Sequence, residues 1–247
     1  MPREPLRLRE GDPLWVFGYG SIVWKVGFAY TERKICCARG WRRRFYQGST
    51  DHRGTTAFPG RTVTLERCDP VEDPPCWGAA YRVAPEDVEA TLANLEVREK
   101  QYDLRAQFDL HASADADAPV VVRDAVTWLA TSDPANLNWL GEPEGGLEEM
   151  AETIANAVGP SGRNTEYLYE LAEALRGIGV EDDHLYELEA RVRAIETGRR
   201  GGARELRRGD RPRAPEQHGR GHGERRRARA PVAGRLEAGQ GRRRIAR

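Results

Sequence analysis

Residues 14–22 read LWVFGYGSI, and the reading of this stretch decides the domain. The apolar run Leu14, Trp15, Val16, Phe17 is too short for a helix and stops at two glycines. That pattern is a buried strand feeding a tight turn. In Gly18-Tyr19-Gly20-Ser21 the glycines let the backbone bend sharply and let a ligand approach main-chain N–H groups. Consecutive free N–H groups form an anion or oxyanion site. Taken alone, the same residues also suit a plain strand-to-loop turn.

Outward from this strand, residues 34–47 read as one or two strands broken at Gly40. Residues 48–60 hold Gly, Pro, Ser, Thr and Asp and read as a loop. Residues 61–66 (RTVTLE), 76–83 (CWGAAYRV) and the β-branched 120–129 read as further strands. Residues 85–95 are helical, with Val88, Leu92 and Leu95 on one face. Two or three helices close the chain, over 147–158, 164–176 and 182–195. Leu168, Leu171 and Leu175 stripe the second; Leu185, Leu188, Val192 and Ile195 stripe the third. Strands first and helices last give an α+β fold rather than a doubly wound sheet.

The 247 residues are formally neutral, with 39 basic and 39 acidic side chains. The neutrality is composite. Residues 197–247 hold 17 Arg, no Lys and five acids, a net of +12, so residues 1–196 carry −12. The chain therefore divides into a leader (1–13), an acidic folded body (14–196) and a basic Arg/Gly/Ala-rich tail (197–247). The tail has too few large apolar residues to offset its ordering entropy and is expected to be disordered. No apolar run approaches the ~20 residues that span a bilayer. Four cysteines without a C-x-x-C pair, and no apolar signal core, point to the reducing cytoplasm.

Arg98-Glu99-Lys100 follows the first helix. A glutamate between two cations is ordinarily a solvated charge. Buried in a cavity, the same residue would have a pKa raised toward ~6–7 and could accept and return a proton. Asp51-His52, with Ser49 nearby, is not a hydrolytic triad, because triads assemble in space and not from successive loop residues. Cys36 and Cys37 are adjacent, so in a strand only one can face a site. No His, Cys or Asp spacing supports a metal, and no cofactor is expected.

Six blocks of this sequence resemble the ChaC family of γ-glutamylcyclotransferases: WVFGYGSIVWK (15–25), RRFYQGSTDHRG (43–54), PGRTVTL (59–65), CWGAAYRV (76–83), VREK (97–100) and GPSGRNTEYL (159–168). They occur in the family's order and cover about residues 14–196. The resemblance implies a small closed mixed β-barrel with flanking helices. It implies cleavage of glutathione to 5-oxoproline and cysteinylglycine without metal or nucleotide. It carries the substrate loop onto Val16, Phe17, Gly18, Tyr19, Gly20, Ser21 and Ile22, and the catalytic carboxylate onto Glu99. Arg43, Arg44 and Arg53 are candidates for the substrate's carboxylates, with Arg44 the choice among them; Tyr167 is a further pocket candidate. Two departures stand out. Lys100 is followed by Gln101-Tyr102 where the family has two glycines before the tyrosine, which leaves the placement of Tyr102 open, and Ile22 replaces a leucine.

Alternative readings change the substrate to other γ-glutamyl peptides or amines, or make the fold a silent scaffold. A reading from another class has the Arg-rich tail bind nucleic acid or an acidic partner non-specifically. The tail lacks the interleaved aromatics that stack on bases.

Overall fold

The computed structural model describes residues 6–7, 11 and 13–209, with side chains as far as Arg199. Most of the expected leader, and the expected tail from residue 210 on, lie outside the described residues.

Strands β1 (Leu14–Gly18), β2 (Glu32–Ala38), β5 (Cys76–Val83), β6 (Leu104–His111) and β7 (Val120–Leu129) close into a barrel in the order β1-β5-β2-β6-β7. The barrel is mixed: β1 runs antiparallel to β5 and parallel to β7, with Val16 opposite both Tyr81 and Val126. The expected closed mixed barrel is therefore what forms. Strands β3 (Trp41–Ser49) and β4 (Gly60–Arg67) make a separate antiparallel ribbon. Gly40, at φ +74°, turns the chain from β2 into β3, as the break in the hydrophobic run suggests.

Helix α1 (Val88–Arg98) follows a 3₁₀ turn at Pro85–Asp87. Helices α2 (Gly146–Asn156), α3 (Asn164–Gly177) and α4 (Asp183–Gly209) follow the barrel, with the two-residue strands β8 (Val158–Gly159) and β9 (Gly162–Arg163) between α2 and α3. The backbone of α4 continues to Gly209, thirteen residues into the stretch assigned to the tail.

One strand is absent from the sequence reading. In β6, Ala106, Phe108 and Leu110 alternate with Arg105, Gln107 and Asp109, and this period-2 signal marks it. It is a half-buried strand and of its residues only Leu110 is fully inside, so its polar character hides it.

Alternation along β1 builds two cores. Leu14 and Val16 face one cluster with Tyr81, Val83, Val126 and Leu95 of α1. Phe17 faces the other, with Phe45, Val63, Met150, Ile154, Leu168, Leu171 and Leu175. Each such side chain contributes about 1.5–3 kcal/mol on full burial. β1 is thus clamped between α1 on one side and the helical layer on the other, and the turn that follows it opens where the two cores meet.

Candidate active site

The turn begins where β1 ends. Gly18 pairs with Ala79 on β5. Its carbonyl comes so close to the neighbouring strand that a Cβ on Gly78 would sit 2.3 Å from it. Beyond it, Ser21–Val23 forms one 3₁₀ turn, whose first hydrogen bond runs from the Val23 N–H to the Gly20 carbonyl at 3.0 Å. The N–H groups of Gly20, Ser21 and Ile22 precede that bond and have no acceptor inside the turn. Tyr81 fixes the turn from below, donating to the carbonyls of Ile22 (3.1 Å) and Val23 (3.0 Å). A side chain at Gly20 would meet Val63 Cγ2 at 2.9 Å and the Tyr167 hydroxyl at 3.1 Å, so Tyr167 lies against the turn.

Glu99 reaches the same place from α1. It is the C-terminal cap of that helix: its N–H donates to Leu95 O at 2.8 Å, and its carbonyl accepts from the Tyr102 N–H at 3.0 Å. Its side chain is only 14% exposed, so it is not the solvated surface charge its neighbours suggest. Arg98 packs beside it, with Nε 3.1 Å from Glu99 Oε1. The same guanidinium donates to Ser21 Oγ and to the Val26 carbonyl, both at 2.8 Å. A single fork thus joins the carboxylate to Ser21 of the glycine turn and to Val26 just beyond it.

Three tyrosines lie near enough to feel the charge of the carboxylate. Burial is the main cause that raises the hydroxyl pKa of each of Tyr19, Tyr102 and Tyr167 above the ordinary value, and the Glu99 charge adds to it in all three. All three stay neutral at physiological pH. Tyr19 donates to Trp128 O at 2.7 Å and Tyr102 to Val63 O at 2.8 Å. Despite the missing glycines, Tyr102 is firmly seated. Its position beside Glu99 was not legible in its sequence neighbourhood.

The arginine candidates separate cleanly. Arg43 is inaccessible to solvent and bonds to the carbonyls of Tyr19 and Trp77 and to the carboxylate of Asp182. It has no face for a substrate. Arg44 points to the opposite side of β3, 3.6 Å from Glu66, and the structure does not bring it to the turn. Adjacent strand residues face opposite ways, so only one of the pair could reach Tyr19, and it is Arg43. Arg53 is paired with Glu166 at 2.8 Å and Glu170 at 3.5 Å.

The loop after β3 braces the segment behind Glu99. Asp51 pairs with Lys100 at 2.8 Å, Gln101 Nε2 donates to Thr50 Oγ1 at 2.7 Å, and Gln47 Nε2 donates to the Gln101 carbonyl at 2.7 Å. His52 contacts Ser161 Oγ, not Ser49. The loop therefore holds the backbone at 100–101 in place and forms no triad. A cavity of about 500 Å³ lies elsewhere, over Trp41, Arg67 and Phe108. Among the described residues no cluster of His, Cys, Asp and Glu could hold a metal, and no helix is long and apolar enough to cross a membrane.

A closed mixed barrel with helices packed around it is the architecture of the γ-glutamylcyclotransferase fold. A solved glutathione-specific γ-glutamyl cyclotransferase from yeast superposes with a TM-score of 0.64 at 30% identity, covering 74% of this chain and 96% of that one. The ChaC-like protein family matches residues 14–195, and the chain belongs to that family. γ-Glutamylcyclotransferase 2-3 of Arabidopsis thaliana is 46% identical over 163 residues, 66% of this chain and 79% of the relative. Glutathione-specific γ-glutamylcyclotransferase 1 of Homo sapiens is 41% identical over 185 residues, 71% and 76% of the two chains.

Proposed function

We propose that this chain cleaves glutathione to 5-oxoproline and cysteinylglycine, with Glu99 moving the proton and the turn at Gly18, Tyr19, Gly20, Ser21 and Ile22 holding the γ-glutamyl group. One observation carries the reading: a largely buried carboxylate is tied through Arg98 to Ser21, in a turn whose first main-chain N–H groups have no partner inside the turn. The names of the relatives supply the substrate.

The substrate brings its own nucleophile. Attack of the glutamyl α-amine on the γ-carbonyl carbon closes a five-membered lactam and breaks the bond to the cysteine nitrogen. Folding the substrate into the attacking shape can contribute ~7–11 kcal/mol. The amine is mainly ammonium at neutral pH. Glu99 takes its proton, and the N–H groups of the turn receive the negative charge that develops on the carbonyl oxygen. Loss of one such donor typically costs ~3–4 kcal/mol. Glu99 then returns this proton to the departing nitrogen, and the second proton, which attack makes acidic on the ring nitrogen, follows to the released amine, so that cysteinylglycine leaves as its ammonium form. Atoms balance without water, metal or nucleotide.

Tyr19 and Tyr167 shape the pocket wall. Arg98 holds the carboxylate against the turn, with contacts to Glu99 Oε1 and Ser21 Oγ. The proposed setting is the reducing cytoplasm, where the four unpaired cysteines stay thiols. The test is Glu99→Gln, which preserves shape and removes the proton carrier. Release of 5-oxoproline should fall by ~10²–10⁴; a variant as fast as the wild type would refute the mechanism. γ-Glutamylalanine, assayed beside glutathione, tests the breadth of the site.

A further inference from the structure

The carbonyl of Tyr19 and the N–H of Gly20 belong to one peptide unit. In a trans peptide the two point to opposite sides, so whatever grips the carbonyl also aims the N–H. The grip is Arg43, whose Nε donates to Tyr19 O at 2.8 Å. The other two nitrogens of this buried guanidinium bind the Trp77 carbonyl on β5 and the Asp182 carboxylate.

Asp182 is itself fixed. Its Oδ1 accepts from the Leu185 N–H at 3.0 Å and its main-chain carbonyl from the Tyr186 N–H at 3.0 Å. It caps the start of α4 while its second oxygen meets Arg43. Two further ionisable groups act on the guanidinium, Cys76 and Tyr167; burial pushes the Cys76 thiol up to about 12 and raises the Tyr167 hydroxyl above its ordinary value. Both stay neutral, so Asp182 is the counter-ion.

We infer that Arg43 is a positioning residue for the reaction. It sets the Tyr19–Gly20 peptide so that the Gly20 N–H faces the reacting carbonyl oxygen, and Asp182 sets Arg43. The inference rests on the reaction proposed above. A buried ion pair is a poor device for stability alone, because desolvating each ion costs several kcal/mol and an apolar pair of similar volume often does as well. What an apolar pair cannot do is hold a carbonyl and so fix the plane of a peptide. The guanidinium does this with a rigid fork that reaches from β3 to three places: the glycine turn, β5 and Asp182 before α4.

The experiment compares the full-length wild type with Arg43→Lys and Asp182→Asn, measuring 5-oxoproline release per folded molecule, with circular dichroism and a melting curve on each protein. Lysine keeps the charge but offers one nitrogen to three acceptors arranged about a planar group. Loss of an oxyanion donor costs ~10²–10³ in kcat, so misaiming it should lower kcat about 10- to 100-fold. KM should stay within about twofold, because the lost contact matters chiefly in the transition state. Asp182→Asn should show the same pattern in weaker form. A folded Arg43→Lys with wild-type kcat overturns the inference. So does a raised KM at unchanged kcat, which would make Arg43 a substrate-binding group. If Arg43→Lys fails to fold, Asp182→Asn decides by the same split, since Asp182 is partly exposed (15%) and asparagine keeps the cap. An inactive wild type would overturn the proposed reaction and this inference together; an active wild type with unaffected variants overturns the inference alone.

Discussion

Arg98 Nη2 donates to Ser21 Oγ at 2.8 Å, across 77 residues of sequence. The same side chain lies 3.1 Å from the Glu99 carboxylate. Its planar fork therefore sets the distance between the proposed proton carrier and the turn proposed to hold the substrate. Arg98→Lys should lower kcat by about 10²-fold, since a misplacement of roughly 1 Å can cost that much. Ser21→Ala removes one of the three contacts and should cost less. Steady-state kinetics on both variants checks the order.

Gly78 has a backbone role. A Cβ there would lie 2.3 Å from the Gly18 carbonyl and 2.8 Å from the Phe17 ring. Neither can yield without moving the end of β1. Gly78→Ala should destabilise by about 3 kcal/mol or more, at the upper end of overpacking costs. Urea denaturation gives the number, and the folded fraction of the variant should be less active because its glycine turn is displaced.

His184 makes the folded state sensitive to acid. Burial first, then the charges of Arg44 and Arg43, lower its pKa from 6.5 to about 4, against an opposing pull from Asp182. Its Nε2 is buried without a partner. The unfolded chain therefore takes up a proton below about pH 6.5 that the folded chain refuses until about pH 4. Stability is full above that window and declines as pH falls through it. His184→Gln should flatten this part of the curve, measured as the urea midpoint at pH 7 and pH 5.

The thiols should be quiet. Burial pushes Cys36 and Cys76 up to about 12 and Cys37 to about 11. Thiolate is the reactive form, so iodoacetamide at pH 7.5 should leave these three unlabelled in the native protein and modify them after denaturation. Cys68 is partly exposed and should label first, with no loss of activity. Peptide mass spectrometry resolves the four sites.

The fold was readable where hydrophobic period and glycine coincide: the run at Leu14, Val16 and Phe17 before Gly18, the break at Gly40, and the leucine stripe at 168, 171 and 175. Strand β6 escaped because half its residues are charged or polar and only one is fully buried. The site was readable as two motifs, and resemblance alone suggested joining them. Nothing local distinguishes Arg43 from Arg44. Which one faces Tyr19 is set by the register of β3, and that register is fixed by pairing with β4 and packing against the helices. Arg98 looked like a surface neighbour of Glu99 because its partners, Ser21 and Val26, come from a distant segment.

The ion pair between Arg43 and Asp182 has a consequence for how the protein comes into being. Chains emerge from the ribosome N-terminus first and fold domain by domain. The last barrel strand ends at Leu129, well before Asp182. A nascent barrel with its β3–β4 ribbon would thus carry a positive charge whose counter-ion has not yet been made. Burial of Arg43 must wait for the start of α4, and the glycine turn matures only when nearly the whole folded unit is out of the exit tunnel.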